Sequence, residues 1–455
     1  MEGDLQQLLK RDLMKYSENE FRDYLFERHR DTLHSVICGR REPIQWKSDD
    51  FPPIRFLLQQ QAEIRINEII DALEYLTLRA RELRLERQAD STTRIDLFGT
   101  SPDGGITIIE LKKSAQTERQ AFTEMLAYAR HFCSIFAGLT EASIACVLIA
   151  PMASRTVRDA YAQELITNGK HLLALVPEQD GEEIRLHVYY PDETHYRWYE
   201  NSLLDDRSMC AVSISFPLLP GWIDSDDTSE DQNIPLYSRV ALNTVSSAIA
   251  HRFEVRGYHS MVYAAQKWGN LAGIFPFPNT VFIVAVNPYA SFRTSIDDDT
   301  VYGEGPANRY QDIQSVHDQL DEAGRREWLE TIDSSFLGEI IRLARDEFFA
   351  CFRNKGQARI ETEIGIPSWE ALKLSLLDTV TVHNLEIYPT GLLREVYAAY
   401  IAHIYRPEVT HCMHYSDDFP KWSYQTLRNF LPVWEILRML GLGRSDDEDE
   451  AMERG

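Results

Sequence analysis

Apolar and polar positions change period several times along the chain, and each change predicts an element. The first 35 residues have helical spacing, with Ser17 placed to cap Glu18-Asn19-Glu20-Phe21 in a capping-box arrangement. Residues 40–53 are loop-like. From Ile54 to about Leu78 the apolar residues Ile64, Ile66, Ile69, Ile70, Leu73 and Leu76 predict a long amphipathic helix. The period then drops to two. Leu83–Arg87 alternates as a strand, Arg94–Phe98 follows, and Ser101-Pro102-Asp103-Gly104-Gly105 turns the chain into Ile106–Lys112. Helical spacing returns over Glu118–Phe132. Ile144–Ala150 is a short apolar strand, Val157–Ile166 a helix, and Leu172–Val176 and Ile184–Tyr190 are strands.

That order predicts an α/β domain over residues 1–195, a mixed sheet flanked by helices. Residues 196–235, with the run Asp224–Asn233, form an acidic linker or loop region. Residues 236–444 are a mixed, mainly helical partner or specificity domain, with a buried strand within Gly273–Val286 and helices over Phe336–Phe352 and Leu392–Tyr405. Residues 445–455 are an acidic tail that cannot bury itself and is expected to be disordered.

Composition bounds the function. The 455 residues are 44% hydrophobic, so the chain is globular, and at that length it needs more than one core. It holds 71 acidic against 47 basic residues, a formal charge of −24, which argues against broad coating of nucleic acid. Residues 201–455 carry most of the excess, with 38 acidic and 22 basic residues against 33 and 25 in residues 1–200. Cysteines 38, 133, 146, 210, 351 and 412 lie far apart without a CxxC pair, so a reducing, cytoplasmic setting is expected and no zinc ribbon or disulfide framework. No apolar run has the length of a membrane span or a secretory signal, so no membrane partner is expected.

The segment with chemistry in it is Arg94-Ile-Asp-Leu-Phe-Gly-Thr-Ser-Pro-Asp-Gly-Gly-Ile-Thr-Ile-Ile-Glu-Leu-Lys112. A turn centred on Asp103 pairs Asp96 with Glu110 and Arg94 with Lys112. It puts Asp96, Glu110 and Lys112 on one face, with Ile95, Leu97, Ile109 and Leu111 on the other. Two carboxylates directly across a ladder repel each other. A divalent cation between them resolves the conflict, and Lys112 would then lie beside a metal-bound water. On its own, an ExK in a strand is more simply a solvated face with a salt bridge.

Here the ExK has company. D-x13-E-x-K across a DGG turn resembles the PD-(D/E)xK nuclease superfamily and, within it, the nuclease domain of the NucS/EndoMS mismatch-endonuclease group. Ala121–Tyr128 matches the following Gln-x-x-x-Tyr helix with Glu124 in the glutamine position, and Ile144–Pro151 matches the strand running into Ala-Pro. The resemblance covers about residues 15–180. It implies a restriction-endonuclease-like fold and hydrolysis of DNA phosphodiester bonds with one or two Mg²⁺ or Mn²⁺ ions. Asp96, Glu110, the Leu111 carbonyl and Glu18 would be the ligands, Lys112 would position the attacking water, and Glu124 and Tyr128 would organise the helix beside the DNA. Arg94, Lys113 and Arg119 are the nearest phosphate contacts, though each is more often a solvated surface cation. Glu18 heads a stripe with Phe21 and Leu25, while Glu20, Glu63 and Glu68 remain alternatives to it. The separation of Glu18 from Asp96 exceeds the family's usual spacing, which an insertion at about 38–75 would explain. The mismatch endonucleases place this domain last, so their specificity does not carry over; genome maintenance and anti-phage defence are contexts suggested by analogy alone.

The rival reading is a catalytically silent nuclease fold that docks nucleic acid, or a protein partner through the acidic second half. An RNA substrate and a homo-oligomer also stay open. His411-Cys412-Met413-His414 lacks a second ligand pair for zinc, Trp422–Trp434 is an aromatic stretch suited to core packing or a partner groove, and neither Gly303-Glu304-Gly305 nor Gly441-Leu442-Gly443 makes a phosphate loop.

Overall fold

The computed structural model describes residues 16–47, 52–85, 94–102, 105–136, 138–181, 183–204, 209–217, 236–266, 277, 279–289, 310–353, 360–367, 372, 375, 379 and 385–404. The acidic run 224–233, the tail after 445, the His411–His414 and Trp422–Trp434 stretches, both glycine turns near 304 and 442, and the turn residues Asp103 and Gly104 lie outside the described residues. The chain is α/β and forms two units, residues 1–46 with 56–196, and residues 47–55 with 197–455.

The first unit is a seven-stranded mixed sheet in the order β1-β7-β6-β5-β4-β3-β2. Its strands are β1 (Ile37–Cys38), β2 (Thr77–Arg84), β3 (Arg94–Thr100), β4 (Ile106–Leu111), β5 (Ile144–Ile149), β6 (Leu172–Asp180) and β7 (Glu183–Val188). The helices are α1 (Glu18–Arg28), α2 (Ile54–Leu73), α3 (Ala115–Ile135), α4 (Arg155–Ile166) and α5 (Glu193–Leu204), the last running across the boundary between the units. β4, β5 and β6 run parallel and are joined through α3 and α4, whereas β2–β3, β3–β4 and β6–β7 are antiparallel. β5 is almost wholly buried, which is why it reads as an unbroken apolar run and not as an alternating one.

Three features bear on the expectation. The long helix stops at Leu73, and the strand after it begins at Thr77. The Leu78 amide donates to the Arg30 carbonyl at 2.8 Å and Leu78 pairs with Gly99, so sheet pairing takes residues that the helical pattern would have continued through. Of residues 38–75, where the spacing suggests an insertion, 38–46 and 56–75 belong to this unit and 47–55 to the second. β1 pairs with β7 at the far edge, and α2 buries Leu57, Leu58, Ala62, Ile66, Ile69, Ile70 and Leu73. The capping box forms as expected: the Glu20 amide donates to Ser17 Oγ while Glu20 Oε2 accepts the Ser17 amide at 2.8 Å.

The second unit holds a five-stranded antiparallel sheet in the order β11-β8-β10-β9-β12. These are β8 (Met209–Phe216), β9 (Ser260–Gln266), β10 (Asn279–Val286), β11 (Glu363–Gly365) and β12 (Ile387–Pro389). The helices are α6 (Leu236–Val255), α7 (Tyr310–Gln319), α8 (Glu322–Arg353) and α9 (Gly391–Ile404). α6 and α8 press Leu242, Val245, Ile249 and Phe253, and Ile340, Leu343 and Phe348, onto Val212, Ile214, Val262, Val281 and Ile283. Among the described residues no helix is long and apolar enough to cross a membrane.

Candidate active site

The site grows from the β3–β4 hairpin. Its register pairs Leu97 with Ile109, Phe98 with Ile108, Gly99 with Thr107 and Thr100 with Ile106, which continues to Asp96 opposite Glu110. The ladder itself ends at Leu97–Ile109. Beyond it the Leu111 amide, which the same alternation would send to Ile95, donates to Asp96 Oδ2 at 2.9 Å, and the Asp96 amide donates to Glu110 Oε1 at 3.3 Å. The two strands part there, and the aspartate side chain stands in for a backbone partner. The Leu111 carbonyl leaves the strand on the same edge as its amide, so it too is directed at this gap.

The face carrying the carboxylates is largely covered, with Asp96 half-buried. Glu110 is 1% exposed, and α3 lies over the face, with Phe132 stacked on Phe98 at 5.5 Å between ring centroids. Burial, the Asp96 charge and a hydrogen bond to Asp96 together push the Glu110 carboxyl up to about 10. Lys112 Nζ stands 3.9 Å from Glu110 Oε2 and partly offsets this, while its amide donates to the Ile149 carbonyl at 2.9 Å and fixes the end of β4 against β5. Tyr128, buried on α3, has its hydroxyl hydrogen-bonded by the Arg94 backbone. Burial first, then the charges of Glu110, Glu124 and Asp96, hold it well above the usual phenol range. Glu124 Oε1 accepts from Gln120 Nε2 at 2.8 Å, one turn earlier on α3.

Asp96, Glu110, Lys112 and Tyr128 are therefore brought together, with Glu124 close enough for its charge to act on Tyr128. Glu18 arrives from α1 and accepts the Lys113 amide at 3.2 Å, with Phe21 and Leu25 buried below it as its stripe requires. It borders the site without making a third ligand: among the described residues no three His, Cys, Asp or Glu side chains are grouped to hold a metal ion. The other three glutamates are placed elsewhere. Glu20 is spent on the capping box with Ser17. Glu63 is buried and accepts the Ile44 amide at 2.8 Å and Gln59 Nε2 at 2.9 Å, and Glu68 is exposed. Arg94 Nη1 faces Glu82 at 3.7 Å, while Lys113 and Arg119 are exposed.

One residue of this region escapes sequence reasoning. Glu118 reads as a polar first-turn residue of a helix, yet it is fully buried and accepts the amides of Ala153 and Ser154 at 3.1 and 2.9 Å. It thereby ties α3 to the loop that leads into α4, in which Met152 has φ +54. Its one legible signal is the Ala-Pro loop after β5, which leaves amides to be satisfied.

The donor set suits a small hard cation. Two carboxylates crowd one buried gap at an electrostatic cost that a divalent ion would remove, a backbone carbonyl points into the same gap, and Mg²⁺ commonly takes one or two carboxylates with water and phosphate oxygens completing its shell. No family model, curated protein or solved structure matches the chain.

Proposed function

We propose that the chain is a metal-dependent nuclease that hydrolyses DNA phosphodiester bonds, with its active centre in the first unit. The observation that supports this reading best is the Asp96–Glu110 pair itself: two carboxyl groups held together in a largely covered gap beside Lys112, where a simple solvated face would have kept them apart. In this reading Asp96, Glu110 and the Leu111 carbonyl hold Mg²⁺ or Mn²⁺. The ion would polarise the phosphate and lower the pKa of a bound water. Lys112 orients the nucleophile and offsets charge that develops on the phosphate. Tyr128 closes the site from α3, and Glu18 fixes the backbone at Lys113, where the strand leaves the site.

The test is cleavage of plasmid, linear and single-stranded DNA, with RNA alongside, in Mg²⁺, Mn²⁺ and chelator. Asp96→Ala, Glu110→Ala and Lys112→Ala should each lower metal-dependent cleavage by at least about 100-fold. Equal activity in wild type and all three variants would reject the reading. That only two side-chain ligands meet here among the described residues favours a second reading, a silent fold that docks a partner, and absence of cleavage under every metal would support that instead.

A further inference from the structure

A second cluster of reactive groups sits at the β1 edge of the first unit's sheet, on β1, β7 and β6, with β5 between it and the strands of the carboxylate pair. β1 and β7 pair Cys38 directly with His187, so both side chains leave the same face. His187 is opposite Val176 on β6, and Glu178 lies two residues further along that strand on the same face. Cys38 Sγ is 3.3 Å from His187 Nδ1, and His187 Nε2 is 2.8 Å from Glu178 Oε2. In a neutral imidazole whose Nε2–H donates to the carboxylate, Nδ1 is left as the acceptor facing the thiol. The thiol's other neighbour, the Leu186 carbonyl, is further away at 3.7 Å.

This is the order of nucleophile, base and orienting acid used in covalent catalysis. A shared metal does not fit it, because the imidazole stands between the other two groups and spends one nitrogen on each. The cluster is reachable from solvent: the His187 and Glu178 side chains are 30% and 29% exposed, and Cys38 is half-buried.

We propose that Cys38, His187 and Glu178 form a nucleophilic thiol site that accepts an acyl group from an ester or thioester, an activity separate from the phosphodiester hydrolysis proposed for the carboxylate pair. The S–H bond breaks as its proton passes to Nδ1, and the sulfur pair forms a C–S bond to the carbonyl carbon while the C=O π pair moves to oxygen. Collapse restores the carbonyl and expels an alkoxide or thiolate, which takes the proton from Nδ1. Cys38 is left as a thioester that water hydrolyses with the roles reversed, returning the thiol. Glu178 is a positioning residue that fixes the tautomer and steadies the transient imidazolium. Burial raises the thiol pKa, with Arg185 opposing and Glu178 reinforcing, so the resting sulfur is protonated and needs His187 as a base.

The test treats the full-length protein with p-nitrophenyl acetate, following p-nitrophenol release and mapping acetylated peptides by mass spectrometry. Cys38 should acetylate ahead of Cys133, Cys146, Cys210, Cys351 and Cys412, and Cys38→Ala should abolish the fast phase. His187→Ala should slow acetylation of Cys38 by at least about 100-fold, with added imidazole restoring part of the rate. Glu178→Ala should lose rate, and Glu178→Gln, which keeps an acceptor for Nε2–H, should regain most of it. Circular dichroism melts confirm that the variants are folded. Acetylation of another cysteine as fast as Cys38 in the wild type, or wild-type rates in folded His187→Ala, would overturn the proposal.

Discussion

Glu110 holds the largest tension at the scale of a single residue. A carboxyl that is nearly inaccessible, opposite a second carboxyl, keeps its proton up to about 10, against an ordinary value of 4.5. Below pH 4.5 folded and unfolded chains both hold that proton, and the group contributes no slope. Between 4.5 and about 10 the folded chain retains a proton that the unfolded chain releases, so rising pH favours unfolding. In chelator, the melting temperature of the wild type should therefore fall from pH 5 to pH 9 more steeply than that of Glu110→Gln, and Mg²⁺ should remove much of the difference. Matching slopes for the two proteins would sink this account. The opposition of Asp96 and Glu110 was legible in the sequence because a turn of fixed length sets the register of its strands. The burial of Glu110 was not, because the helix that covers it follows the hairpin and packs back over it. Cys38 and His187 were invisible as a pair for the same kind of reason: nothing local links two residues that meet only when the first strand joins the last.

Among the elements, β2 shows how an edge strand is admitted to the sheet. It lies against β3 at Gly99, where an added Cβ would stand 2.6 Å from Leu76 Cδ1 and 3.2 Å from the Thr77 carbonyl. Leu76 is 1% exposed and Thr77 is backbone already paired with Thr100, so neither can give way cheaply. Gly99→Ala should destabilise the protein by about 1–3 kcal/mol in denaturant unfolding, the usual cost of overpacking, and should loosen the β2–β3 edge in hydrogen exchange. A neutral result would mean that the edge relaxes freely. The elements of this unit were largely readable, with strand and helix limits mostly within a few residues of the apolar periods. The exception is the α2–β2 junction, where Leu76 and Leu78 fit a helical stripe and a buried strand equally well until pairing with β3 decides between them.

For the molecule as a whole, the question is how a chain with a formal charge of −24 could act on a polyanion. Bulk charge argues against it, but residues 1–200 hold 33 acidic and 25 basic residues, and two of those acids are the Asp96–Glu110 pair that a cation would neutralise. The larger excess lies beyond residue 200, in a part of the chain whose architecture was the least legible. Its sheet is assembled from short strands distant in sequence, including β11 and β12 of three residues each, and the order β11-β8-β10-β9-β12 follows from no local pattern. A strongly acidic second unit should repel random duplex, so under the proposed nuclease reading engagement would come from a metal-bridged phosphate and a few cations around the site, Lys112 first among them. Fluorescence anisotropy with a labelled random duplex at physiological salt should then give binding no tighter than the roughly 10⁻⁴–10⁻⁶ M of ordinary non-specific contacts. The decline with added salt should be shallow, because few phosphates are neutralised, and affinity should rise when Ca²⁺ occupies the carboxylate pair. Tight binding in chelator, with a steep salt dependence, would instead require an extended basic surface and would remove the metal from the centre of DNA recognition.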